Sequence, residues 1–107
     1  MMATSQDFIE YVCEQINGGG IIRPKKMFGE YMIYVNEKPI LLICDGIVYV
    51  KMRDEIAELM CSAETGFPYK GAKEHYILDI EDKPLTFAVI EILESITPLP
   101  KKRNKTQ

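Results

Sequence analysis

The residues that could carry chemistry in this chain are few and far apart: one histidine, His75, three cysteines, Cys13, Cys44 and Cys61, and a few carboxylates in apolar or clustered settings. A single histidine leaves no His/His pair for a metal. The cysteines show no C-x-x-C spacing, so no zinc-type ligand set is expected. A Cys–His nucleophile would need a cysteine beside His75. No local signature supports that pairing, and His75 reads as a strand residue at the surface or edge. Glu30 lies between apolar neighbours, where a carboxylate is a candidate proton carrier. Solvent exposure, or pairing with Lys26 or Lys51, accounts for it more simply. Asp79, Glu81 and Asp82 look like a paired-carboxylate site, but they stand ahead of a helical stripe, where the macrodipole favours negative charge. Gly18-Gly19-Gly20 has the composition of a phosphate loop, yet it follows a helix and precedes a strand, the reverse of the order such loops need. It reads as a linker. Phe28, Tyr31, Tyr34 and Tyr49 could stack on bases, but core and dimer packing explain them more economically. No catalytic, cofactor-binding or metal-binding set is expected, and the chain reads as a non-enzyme.

The elements that must position these residues centre on Lys26 to Met52. From Met27 to Val35 the odd positions Met27, Gly29, Tyr31, Ile33 and Val35 alternate with Phe28, Glu30, Met32 and Tyr34, which predicts one strand with two unlike faces. Gly29 inside the run predicts a bulge or a close backbone approach. Asn36-Glu37-Lys38-Pro39 reads as a turn. Ile40–Cys44 is a continuous apolar run, and Asp45-Gly46 is a hairpin signal leading into Ile47–Met52. A three-stranded antiparallel meander is the expectation, entered along an extended, edge-like Arg23-Pro24-Lys25-Lys26.

On either side of it the spacing predicts helices. Phe8, Ile9, Val12, Cys13 and Ile16 form an amphipathic stripe behind a Thr4 or Ser5 cap. Ile56, Leu59, Met60 and Ala63 predict a second helix from Asp54 to near Thr65-Gly66. Phe67-Pro68-Tyr69 is a short extended piece, and His75–Ile80 a further strand. Leu85, Ala88, Val89, Ile92, Leu93 and Ile96 form the last stripe, capped by Asp82 and stopped at Thr97-Pro98. The order is α-β-β-β-α-β-β-α, an α+β domain in two layers with the helices on one face of an antiparallel sheet.

The chain's 107 residues, 47% hydrophobic and 27% charged, suit one globular domain over residues 1–100. Residues 101–107 form a basic tail, expected to be flexible, that holds four of the thirteen basic residues. All sixteen acids precede it, so residues 1–100 carry a net −7. An acidic body argues against a nucleic-acid surface. The N-terminus shows no signal peptide and no apolar run approaches bilayer length, so the expectation is a soluble, cytoplasmic protein with its thiols reduced and no membrane contact.

The string Lys26-Met27-Phe28-Gly29-Glu30-Tyr31-Met32-Ile33-Tyr34, followed by Leu42-Ile43-Cys44-Asp45-Gly46-Ile47-Val48-Tyr49-Val50-Lys51, resembles the bacterial TfoX (Sxy) N-terminal domain family over roughly residues 5 to 96. Phe67-Pro68-Tyr69 matches that family's aromatic stretch, while Glu30 and Met32 stand where the family pattern has glycines. The resemblance implies a secretion-chaperone-like fold in the element order above. It also implies a kinship with regulators of natural competence that act with the cAMP receptor protein at promoters.

Two layers leave one sheet face uncovered, and Phe28, Gly29, Glu30, Met32 and Tyr34 are the expected interaction surface on it. The expected role is a non-enzymatic protein-interaction domain and transcriptional co-regulator. Its expected partner is a protein, a transcription factor or a second copy in a homodimer, with no direct nucleic-acid binding and no cofactor. The rival expectation is a small-ligand binder, or an enzyme, using the uncovered sheet face.

Overall fold

The computed structural model describes residues 5–27 and 30–100. Phe28, Gly29 and the basic tail 101–107 lie outside the described residues. Helix α1, Gln6–Gln15, opens on Ser5, whose hydroxyl accepts a hydrogen bond from the Phe8 amide at 3.1 Å. Ile9, Val12 and the capping Ile16 are its buried residues. Beyond it Gly18 and Gly20 take positive φ, 104° and 135°, and turn the chain toward the sheet.

Six strands follow: β1 Ile22–Met27, β2 Glu30–Val35, β3 Lys38–Cys44, β4 Ile47–Lys51, β5 Thr65–Gly66 and β6 His75–Ile77. They form one antiparallel sheet in the order β1-β2-β3-β4-β6-β5. Helix α2, Lys83–Ile96, closes the domain. Asp82 caps it by accepting from the Leu85 amide at 3.2 Å, and Pro84 sits in its first turn, where no amide is needed. The fold is the expected α+β arrangement, with helical and strand segments in the expected sequence.

Three local features differ from the sequence expectation. Met27–Val35 is not one strand. Met27 ends β1 and lies opposite Glu30 at the start of β2, so Met27 shares a face with Glu30 and not with Ile33. Arg23, Pro24, Lys25 and Lys26 form a complete edge strand. An edge tolerates charge and a missing amide, so its sequence carries little strand signal. The second difference is the turn after Val35, which is only Asn36-Glu37; Lys38 and Pro39 already pair with Val35 and Tyr34. The third is the middle helical segment, which shortens to a 3₁₀ turn, Asp54–Ile56, with turns after it. No side chain caps it, and only Ile56 and Met60 of its stripe are fully buried, with Leu59 exposed. One buried turn does not hold a long helix.

A single core lies between the helices and one sheet face. Ile33, Val35, Leu41, Ile43, Val48 and Val50 point from the sheet toward Val12 and Ile16 of α1 and toward Val89, Ile90 and Leu93 of α2. Thr86 is also fully buried; its hydroxyl donates to the Asp79 carbonyl at 3.2 Å. Ile92 and Ile96, expected on the buried stripe, are half-buried, and Ile90 is buried in their place.

Candidate functional site

The sheet face turned away from the helices carries Glu30, Met32, Tyr34, Cys44, Tyr49 and His75. Its registers place Lys25, Met32, Leu42, Tyr49 and Ile77 in one row across five strands, each opposite the next. Directly opposed side chains in antiparallel strands stand on the same face and touch. Of the expected surface, the structure brings Glu30, Met32 and Tyr34 together on this face, all half-buried.

Each of the three has a defined neighbour. The Arg23 guanidinium lies 4.8 Å over the Tyr34 ring and is held from the other side by Glu37 at 2.9 Å. Met32 stands between Lys25 and Leu42. Glu30 stands across the β2–β3 ladder from Cys44, near enough for its carboxylate to bear on the thiol. Neither expected lysine reaches Glu30 as an ion pair, and Lys26, opposite Tyr31, lies on the other face. Burial, followed by the neighbouring Glu30 carboxylate, pushes the Cys44 thiol up to about 12. It is thus a neutral thiol at physiological pH, not a nucleophile.

The β4–β6 half of the same face holds a cavity of about 390 Å³ that sequence reasoning missed. Met32, Leu42 and Tyr49 form its floor, Pro39 and Ile40 one wall, and Lys51, Lys73, His75 and Tyr69 its rim. A turn at Tyr69–Ala72, closed by the Ala72 amide donating to the Tyr69 carbonyl at 3.0 Å and using Gly71 at φ 90°, returns the chain so that Tyr69 and Lys73 stand over the sheet. Pro68 is buried and anchors this segment, while Phe67 and Tyr69 stay exposed. His75 is not an edge residue: β6 lies between β4 and β5, and His75 is opposite Lys51. Its ring meets Tyr49 edge-on with centroids 6.3 Å apart. Its Nδ1 is 2.7 Å from the Lys73 carbonyl. A carbonyl only accepts, so Nδ1 carries a proton and Nε2 is left for another partner. The signal in the sequence was the spacing of Pro68, Gly71 and His75, a buried anchor, a turn and a strand, but no local motif joins them to Tyr49.

The remaining chemical candidates have structural work. Asp82 caps α2, an Asp79 side-chain oxygen accepts from the Glu81 amide at 3.1 Å, and Glu81 accepts from the Tyr11 hydroxyl at 3.2 Å. Cys13, Cys44 and Cys61 are all free thiols. Among the described residues no group of three or more His, Cys, Asp or Glu side chains is placed to hold a metal, and no helix is long and apolar enough to cross a membrane.

Residues 14–84 match the family model of the TfoX N-terminal domain, two thirds of the chain. The chain belongs to the TfoX N-terminal domain family. A relative at 33% identity over 104 residues, 95% of this chain and 90% of its own length, is a Spirochaeta aurantia protein described as an uncharacterised 12.7 kDa protein in the trpE 5′ region. The matched range of this TfoX N-terminal domain runs from α1 to the start of α2 and so contains the whole sheet, with both halves of the open face.

Proposed function

We propose that this TfoX N-terminal domain acts by binding protein, as a non-enzymatic transcriptional co-regulator in the cytoplasm, and that the β1–β2 half of its open sheet face is the contact surface. One observation carries the reading: Met32 and Tyr34 stand half-exposed on a sheet face that neither helix covers. Apolar surface left open on a folded domain commonly marks a contact. A second copy is the first occupant to test, since a two-fold pairing of one patch with itself is the commonest way to cover it. The mixed charges around the patch, Arg23 and Lys25 on β1 with Glu30 on β2, suit such self-complementary pairing.

A non-catalytic role is supported by the neutral Cys44 thiol and by the capping and bridging duties of the acidic residues before α2. The net acidic body supports a role without direct DNA contact. Light scattering after size-exclusion chromatography tests the reading on wild-type protein and on Met32→Glu. A wild-type dimer that Met32→Glu converts to a folded monomer supports it. A wild-type monomer moves the test to a transcription-factor partner, and loss of the reading follows if no such factor is retained by wild type and released by Met32→Glu.

A further inference from the structure

We propose that the cavity over β3, β4 and β6 binds a small organic anion with an apolar body, a carboxylate carried on an aliphatic chain or an aromatic ring. This goes beyond the protein-binding reading and centres on the β3–β4–β6 half of the sheet face, the two sharing only Met32. The floor is apolar, made by Met32, Leu42 and the Tyr49 ring. The rim is cationic. Lys51 and Lys73 line it, and neither is in an ion pair among the described residues. No carboxylate lines the cavity, although residues 1–100 carry sixteen of them. Against an acidic body, a pocket that gathers two lysines and excludes every acid selects negative ligands.

The Tyr49 hydroxyl adds an independent sign. Tyr49 is only 6% exposed, and its hydroxyl has no hydrogen-bond partner among the described residues. Buried hydroxyls almost always have a partner, because leaving one unmet costs its hydration. A carboxylate oxygen in the cavity would accept from it, while the lysine ammonium groups supply charge-assisted bonds. The His75 ring is fixed at the rim by its Nδ1–H bond to the Lys73 carbonyl, so its Nε2 accepts in this tautomer and the bonds to a carboxylate come from the lysines. At about 390 Å³ the space lies within the roughly 300–1,000 Å³ typical of small-molecule sites, and it is too small for a folded partner.

The test titrates the full chain, ¹⁵N-labelled, with octanoate and with 2-naphthoate, using octanamide, octylamine and inorganic phosphate as comparisons. Saturable shifts at the amides of Leu42, Lys51 and His75 are expected for the carboxylates, with a Kd of about 10 µM to 1 mM. Octanamide, and the Lys51→Gln/Lys73→Gln variant with octanoate, should each bind about tenfold more weakly or worse. Tyr49→Phe should weaken binding severalfold, while Lys70→Gln, a change in the same turn away from the cavity, leaves it unaltered. The two lysines are exposed, so their loss does not unfold the domain and weaker binding is read directly. Equal binding of octanamide or octylamine overturns the proposal, as does phosphate binding as tightly as octanoate, or no saturable shift up to about 10 mM carboxylate. Repeating the titration on Tyr34→Glu, a change on the contact patch outside the cavity lining, separates the two readings. An altered oligomeric state with retained carboxylate shifts leaves this site standing whatever becomes of the protein contact.

Discussion

Cys44 and Glu30 face each other on the open side of the sheet, one step beyond the Tyr31–Ile43 pair of the β2–β3 ladder, and the carboxylate opposes ionisation of the thiol. Cys44 is 3% exposed and its pKa is pushed up to about 12, first by burial and then by Glu30 and Asp45. Between the ordinary value near 9 and about 12, an unfolded chain loses this proton while the folded chain keeps it. The raised folded value therefore contributes stability that is full below about pH 9 and fades as pH climbs toward 12. From about pH 8 to about pH 10 the wild type should lose about 1 kcal/mol more than a Cys44→Ala variant, read from urea midpoints. Mass spectrometry after mild alkylation gives a second check: exposed Cys61 reacts first, and Cys44 only on unfolding. Early modification of Cys44 would remove the basis for both results.

A second relationship ties the layers together. Lys38 on β3 reaches α2, with Nζ 2.8 Å from the Glu94 carbonyl and 3.2 Å from its carboxylate, both side chains largely shielded. Asn36 donates to the same carboxylate at 3.4 Å. Lys38→Met removes the cation and one bond to the end of a helix, where positive charge is favoured. It should cost about 1–2 kcal/mol, and a double-mutant cycle with Glu94→Gln should show coupling of about 0.5–1 kcal/mol. Strict additivity in that cycle would reduce the contact to surface decoration.

The buried stripe of α2 shows where patterning reads the fold and where it slips. Val89 and Leu93 are on the core side as their spacing predicts, yet the stripe is rotated so that Ile90 replaces Ile92. Thr86 is the reason. A hydroxyl counts as polar in a hydrophobic pattern, but here it is satisfied by the Asp79 carbonyl and can sit fully buried. The same limit hides the cavity. Helix caps at Ser5 and Asp82 and the Asp45-Gly46 hairpin are local and legible, whereas Tyr49, Lys73 and His75 meet only through register and through a turn closed around Gly71. The sequence of β1 shows only an extended entry because an edge strand need not alternate, and nothing local to Glu30 marks the thiol that faces it across the ladder.

The rotation itself can be measured. Ile90→Ala, at 1% exposure, should cost about 2–5 kcal/mol through lost transfer and cavity formation, and half-buried Ile92→Ala less than about half of that. Chemical denaturation of both variants with a common m-value decides it. Equal losses would return Ile92 to the core.

The turn between β2 and β3 offers room for improvement. Asn36 and Glu37 both take left-handed φ, 53° and 70°, as a two-residue hairpin of matching twist requires. Asn36 tolerates this and is further fixed, its side-chain oxygen accepting from the Ile21 amide at 2.9 Å. Glu37 has no such compensation in its backbone, and a left-handed β-carbon costs about 1–2 kcal/mol. Its side chain pairs with Arg23 at 2.9 Å, but the two are about half exposed, at 59% and 49%, and such pairs contribute about 0–1 kcal/mol. Glycine frees the strained position and gives up the pair. Part of its gain is offset by the greater freedom of glycine in the unfolded chain. Glu37→Gly should therefore stabilise the domain by about 0.5 kcal/mol, seen as a higher urea midpoint at unchanged m. Asn36→Gly, which loses the Ile21 bond, should destabilise it. A fall in midpoint for Glu37→Gly would mean that the Arg23 pair, through the cation it holds over Tyr34, outweighs the backbone strain.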